Sequence, residues 1–375
     1  MARLTPPILI STQPALMSAL NRIRDQARIA VDTESNSLYA YRERVCLVQV
    51  SIPEADFLID PLPPAVDLRA LDAVFADPAI EKVLHACEYD VMCLRRDYGF
   101  VFNNLFDTMW AARILGWPRV GLADILKERF DVRLDKRWQR YNWGRRPLPP
   151  EALAYARLDT HYLLRLHDVQ MSELRRRDRL EEAREVFAEL AQAEASPHGE
   201  TERNGFWRVK GVFDLDPVGR AVLRELHAYR NDEARRLDRP PFKVINDQTL
   251  IAIAQARPAR LDQLRGLPGM SGAQIDRHGG NLLRAVARGR RAAPPKPPPR
   301  KVAAPEVIER YERLRLWRKQ IAAERGVETD VIISNAALMV LAERQPRTLS
   351  DLDGIDGFGV WRRKTYGQAI LDALH

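Results

Sequence analysis

The apolar run Ile29-Ala30-Val31 ends on two carboxylates, Asp32 and Glu34, with Thr33 between them. Such a run predicts a buried strand, and side chains two apart on a strand leave the same face. Both carboxylates can therefore aim at one point. Two further segments supply matching groups. Asp90 closes Leu84-His85-Ala86-Cys87-Glu88-Tyr89-Asp90, and Tyr155 stands four residues before Asp159 in a helical pattern, which puts both on one helix face. Carboxylates gathered in this way repel and stay ionised mainly when cations lie between them. Hard divalent ions such as Mg²⁺ and Mn²⁺ take such oxygen ligands, and a pair of them about 4 Å apart forms the clamp that cleaves phosphodiesters. Taken singly, an Asp-x-Glu is a strand end turning to solvent and a Tyr-x-x-x-Asp is surface helix. Their order and apolar neighbours favour the chemical reading, that of a nuclease.

The rest of the composition narrows the setting. A chain of 375 residues implies two or three domains, each with its own core. Cys46, Cys87 and Cys93 are an odd set too sparse for a disulfide framework, which suits core thiols in a reducing cytoplasm. The start of the chain lacks the long apolar region of a secretory signal, and no stretch is apolar enough to span a membrane. Charge is unevenly divided. Residues 1–200 carry 27 Lys and Arg against 30 Asp and Glu, and residues 201–375 carry 32 against 21. A basic half attached to an acidic, metal-binding half suggests capture of nucleic acid by the one and catalysis by the other.

Short β-rich runs at 27–33, 45–52, 56–60 and 82–86 alternate with helical patterns at 68–76, 89–96, 107–115, 121–130 and 150–190. They predict an α/β domain over residues 1–191 with a mixed sheet. A polar connector is expected over 192–214. An internal repeat follows: residues 223–283 align without a gap on 311–371, pairing Leu226 with Leu314, Arg230 with Arg318, Gly269 with Gly357 and Gly279 with Gly367. Two small all-α domains are expected at 215–290 and 305–375, joined by a stiff proline-rich linker over 291–304.

The sequence around the acids resembles the ribonuclease D branch of the DEDD 3′→5′ exonucleases over about residues 25–170. The blocks that carry the resemblance are Leu84-His85-Ala86, Leu105-Phe106-Asp107-Thr108, Leu134-Asp135-Lys136, Trp143-Gly144-Arg145-Arg146-Pro147-Leu148 and Tyr155 through Leu164. Parts of the last two are also similar to the exosome-associated nuclear exonuclease. The resemblance implies a ribonuclease-H-like fold in which Asp32, Glu34, Asp90 and Asp159 hold two divalent cations, Mg²⁺ or Mn²⁺. Asp32 is expected to bridge them, because the strand-borne acid sits deepest. Tyr155 would orient the attacking water, since an ordinary phenol near pKa 10 is a poor base. The sister group places histidine five residues before the last aspartate, where this chain has Ala154, and His161 lies on the far side of Asp159. Asn142 stands where many relatives carry aspartate. Asp107 reads as a helix N-cap, and Arg146 reads equally as a phosphate contact or a structural ion pair.

Each repeat resembles the HRDC module. Leu264-Arg265-Gly266-Leu267-Pro268-Gly269 and its variant Leu352 to Gly359 precede a helix, where glycines admit a phosphate and free amides attract anions. A tight helix–helix turn explains the glycines equally well. Asp353 and Asp356 weaken phosphate contact in the second copy, and Arg362, Arg363 and Lys364 partly restore it. The expected substrate is RNA with a free 3′ end, such as a transfer RNA precursor, trimmed to nucleoside 5′-monophosphates. A DNA 3′→5′ exonuclease and a non-catalytic nucleic-acid scaffold are the alternatives. HRDC modules serve both polymers, whereas the complete acid set argues against a scaffold.

Overall fold

The computed structural model describes residues 5–194, 205–298 and 303–375. The first four residues, part of the expected connector (195–204) and part of the expected linker (299–302) lie outside the described residues. Contacts gather the chain into two units. One comprises Met1–Ser35, Val45–Ala195 and Val302–His375, and the other comprises Asn36–Arg44 and Ser196–Lys301.

The first unit is built on a six-stranded mixed sheet. Its strands are β1 (Ile8–Ile10), β2 (Arg28–Ser35), β3 (Val45–Ile52), β4 (Ala55–Ile59), β5 (Glu81–Leu84) and β6 (Leu105–Asp107), in the order β1-β4-β3-β2-β5-β6. β2 runs antiparallel to β3 and parallel to β5, so it lies inside the sheet with Asp32 opposite Gln49 and Glu34 opposite Leu47. The register then slips: Ser35 pairs with Val45, which leaves Cys46 as an extra residue of β3. All eight residues of β3 are buried, because helices cover both of its faces. Val48, Val50 and Ile52 join the main core, while Leu47 and Cys46 join a smaller one with Trp143, Ala152, Tyr155 and Ala156.

The helices of the α/β part are α1 (Gln13–Arg24), α2 (Asp72–Ala76), α3 (Glu88–Tyr98), α4 (Thr108–Ile114), α5 (Leu122–Phe130), α6 (Pro150–Ala156), α7 (Leu158–His161), α8 (Leu163–Arg176) and α9 (Leu180–Leu190). The helical pattern expected over 150–190 is thus divided. Its sharpest break is at Asp178, whose φ of 52° is the left-handed conformation that aspartate tolerates. The amide of Arg179 reaches back to the carbonyl of Leu174 at 2.9 Å and closes the end of α8.

The second unit holds the first repeat, with helices α10 (Pro217–Leu237), α11 (Pro241–Val244), α12 (Asp247–Ala256) and α13 (Gly272–Arg291). Residues 205–214, expected as connector, form two short 3₁₀ turns. Their Phe206, Val209 and Val212 are apolar enough to join this repeat's core. The second repeat, in the first unit, has α14 (Pro305–Arg325), α15 (Thr329–Ile332), α16 (Asn335–Arg344) and α17 (Val360–Leu374). The sequence offset carries through to the atoms. Arg230 donates to the Ile245 carbonyl at 3.2 Å and Asp247 at 2.5 Å, and Arg318 donates to the Ile333 carbonyl and Asn335, both at 2.8 Å. A Cβ added at Gly279 or Gly367 would come within 2.7 Å of Leu261 or Leu349 respectively, so the shared glycine lets the last helix lie on the preceding turn. Among the described residues no helix is long and apolar enough to cross a membrane.

Candidate active site

Asp32 and Glu34 leave the same face of β2, as their spacing predicts, toward α6 and α7. There the carboxylates of Asp32, Glu34 and Asp159 offer oxygens that all lie within 4.8 Å of one another. Tyr155 sits one turn before Asp159, 7% exposed, with its ring 6.4 Å from that of the buried Trp143. Asp90 arrives from the third side, in the first turn of α3. The chain swings from β5 into α3 through Ala86, whose φ of 59° is unusual for a residue with a Cβ. Asp107 braces that swing, because its carboxylate accepts from the amide of Cys87 at 2.7 Å and caps α4 through the amide of Trp110 at 2.8 Å. Both oxygens are thereby engaged, and Asp107 is an N-cap rather than a member of the acid cluster.

Asp90 stands beside the trio, and its carboxylate accepts from the hydroxyl of Thr33. Thr33 occupies the position between the two strand acids and leaves the opposite face of β2. Gln49 pairs with Asp32 across the sheet, its amide 3.4 Å from Asp32 Oδ2, and its own Oε1 is buried with no hydrogen-bond partner. The Gln139 side chain lies near the Tyr155 hydroxyl and works against the rise in its pKa. These three polar neighbours escape a reading by spacing. Thr33 has a signal in its place between two acids, whereas Gln49 becomes visible only once the β2–β3 register is known.

Electrostatics show what the cluster lacks. Burial, then repulsion from Asp90, Asp159 and Glu34, holds the Asp32 carboxyl well above the usual range. Glu34 is raised by burial and then by Asp159 and Asp90. Burial pushes Asp159 up to about 8, with Asp90 adding to it, and pushes Asp90 up to about 7 against the bond from Thr33. Acceptor-only oxygens that raise one another's pKa in this way form a donor set that fits hard divalent cations. The Tyr155 hydroxyl is also raised, first by burial and then by Asp159, Glu34 and Asp32. As whole residues Asp90 and Asp159 are 7% and 9% exposed and Asp32 is half-buried, although burial is the largest influence on the Asp32 carboxyl itself. Asp32 is distinguished instead by centrality, since all three other acids act on it.

The remaining candidates are placed away from the cluster. Arg146 is a structural ion pair, bound to Asp60 at 2.5 and 2.7 Å and to the carbonyl of Cys46 at 2.7 Å. His161 faces Asp56 at 2.9 Å. Asn142 accepts from the amide of Gly144 at 3.2 Å and shapes a turn. All three cysteines are buried and unbridged.

Comparisons with known proteins match both parts of the chain to known families. The family described as 3′→5′ exonuclease matches residues 7–175, and the HRDC domain family matches 219–286 and 308–374. Ribonuclease D of Pseudomonas paraeruginosa is 31% identical over 363 residues, which span 94% of this chain and 93% of the relative. The exosome complex exonuclease RRP6 of Saccharomyces cerevisiae is 33% identical over 67% of this chain, and the match spans 36% of that longer protein. The crystal structure of Escherichia coli RNase D, described as an exoribonuclease involved in structured RNA processing, superposes with a TM-score of 0.73. That match has 26% identity and covers 99% of both chains.

Proposed function

The chain belongs to the ribonuclease D family of 3′→5′ exoribonucleases, and from that premise we propose that it trims the 3′ ends of structured RNA, transfer RNA precursors among them. The observation that carries the reading is the convergence of Asp32, Glu34 and Asp159 within 4.8 Å, with Asp90 and Tyr155 at the edge of the cluster. Asp32, Glu34, Asp90 and Asp159 are the residues that would hold two divalent cations, Mg²⁺ or Mn²⁺. Bound there, the cations supply neutralisation of the acids, activation of water and stabilisation of charge on phosphorus. Tyr155 keeps its proton, since its hydroxyl is raised above an already high pKa, so it orients water and does not deprotonate it. Water oxygen attacks the last phosphorus, the bond from phosphorus to the 3′ oxygen of the preceding nucleotide breaks, and a nucleoside 5′-monophosphate leaves. The shortened RNA ends in a new 3′ hydroxyl, ready for the next cycle. Thr33 holds Asp90 in place, and Gln49 steadies Asp32.

The reading divides the chain into a catalytic domain at 1–191, HRDC domains at 215–290 and 305–375, and joining segments at 192–214 and 291–304, in a protein that works in the cytoplasm. The test is end-labelled RNA and DNA of equal length, with Mg²⁺ or Mn²⁺, resolved nucleotide by nucleotide. Stepwise loss from the 3′ end of RNA, blocked by a 3′-phosphate and by excess EDTA, is expected. Cleavage of a circular RNA, or undiminished activity in EDTA, would refute the assignment.

A further inference from the structure

The glycine hairpins that precede the last helix of each repeat differ at one position. In the first copy Ser271 caps α13 itself, its hydroxyl accepting from the amide of Gln274 at 3.3 Å. The matching residue of the second copy is Gly359, which has no side chain to offer. The start of α17 is nevertheless capped. Glu185, on α9, accepts from the amide of Trp361 at 2.5 Å and from that of Arg362 at 3.3 Å. A methyl group built on Gly359 would overlap the Glu185 carboxylate, whereas the Gly359 φ of −80° is open to any residue. A side chain there would displace the Glu185 carboxylate, so what glycine supplies is space for that group and not backbone freedom.

The neighbouring side chains tell the same story. Gln274 of the first copy donates to the Val244 carbonyl at 3.2 Å, and its counterpart Arg362 makes the matching bond to the Ile332 carbonyl at 3.0 Å. Arginine has donors to spare, and Arg362 spends them on Glu185 at 3.1 Å and Glu189 at 3.0 Å while remaining only 3% exposed. Two further ion pairs join the same surfaces: Arg325 with the fully buried Glu182 at 2.5 Å, and Arg113 with Asp330 at 2.5 Å. Of the charges that seemed to fit the second hairpin for phosphate, Arg362 is turned inward onto the acidic face of α9 and Arg363 pairs with Asp353 of the hairpin itself, while Lys364 stays exposed.

We propose that the hairpin and helix start at Gly354–Arg362 form an anion seat whose occupant is the Glu185 carboxylate, so that the second repeat is an internal clamp on the catalytic domain and not an RNA-phosphate contact. A carboxylate at a helix N-terminus satisfies free amides as a phosphate would, and it complements the positive end of the helix dipole. The seat is occupied before any substrate arrives, which leaves the first repeat, with its self-capped hairpin, as the copy free to meet RNA.

The test uses the full-length chain carrying Asp32→Asn, so that RNA stays intact. Glu185→Ala removes the carboxylate, Gly359→Ala crowds it from the other side, and Glu185→Gln keeps its shape without its charge should the alanine variant fold poorly. Hydrogen exchange at the Trp361 and Arg362 amides is expected to quicken about tenfold in both alanine variants and by less in the glutamine variant. Binding of a single-stranded RNA over a salt series is expected to show an equal or steeper slope than the parent. Unchanged exchange in all three variants overturns the seat. A shallower salt slope overturns the clamp, because it would mean that the hairpin already engages phosphate.

Discussion

At the scale of single residues, the site depends on groups kept protonated or ionised by their neighbours. Tyr155 is buried against Trp143 and keeps its hydroxyl proton, so removing that hydroxyl alone leaves packing and metal ligands in place. Tyr155→Phe is expected to slow single-turnover cleavage by about two decades, in the range seen for one positioned donor, with RNA affinity unchanged. Cleavage at the parent rate would remove the water-orienting role. The acids make a second prediction. Their pKa values in the folded, metal-free protein, about 7 for Asp90 and about 8 for Asp159, lie above the roughly 4 of an unfolded aspartate. The fold therefore holds protons that the unfolded chain has released, and its stability falls as pH rises from about 4 through about 8. Mg²⁺ is expected to raise Tm more at pH 8.5 than at pH 5.5, and Asp159→Asn should shrink that difference. An equal rise at both pH values would show that the ions do not relieve these carboxyls. Sequence spacing made the acids and Tyr155 legible, because periods of two and four residues report faces directly. Gln49 and Gln139 stayed hidden, because each depends on which segment lies alongside.

At the scale of elements, the central strands were readable and the edges were not. β2 and β3 carry runs of apolar residues long enough to show a strand, whereas β1 and β6 have three residues each and no period to detect. The helix α1 went unread although its stripe was present: Leu16, Ala19, Leu20 and Ile23 fall on one face and are buried. The repeat was the most legible element of all, since a constant offset needs no knowledge of geometry. Its paired arginines make a matched prediction. Arg230 and Arg318 each brace the carbonyl that ends a short helix and the side chain that opens the next. Arg230→Ala and Arg318→Ala are each expected to cost about 1–3 kcal/mol, the range for hydrogen bonds from a charged donor, read as a shift in urea midpoint. An unmoved midpoint would show that the guanidinium braces nothing.

At the scale of the whole molecule, the excess of positive charge in residues 201–375 is not shared equally between the copies. On the first repeat, Arg284, Arg288 and Arg291 line one side of α13, and Arg288 is held by Glu225 at 3.1 Å. Arg284→Ala combined with Arg291→Ala is expected to flatten the salt dependence of RNA binding by about one unit of slope, as loss of one to two single-strand phosphate contacts would. An unaltered slope would place RNA capture elsewhere. Gly359 has a consequence of another kind. Tandem copies in a gene invite unequal exchange, in which one copy's coding segment replaces the other's. An exchange that wrote the first copy over the second would bring a serine side chain into the space of the Glu185 carboxylate and replace Arg362 with glutamine. The recombinant would keep two intact helical modules and lose the grip between one of them and the nuclease. Gly359 and Arg362 together thus give the second copy a contact that a duplicate of the first would not reproduce.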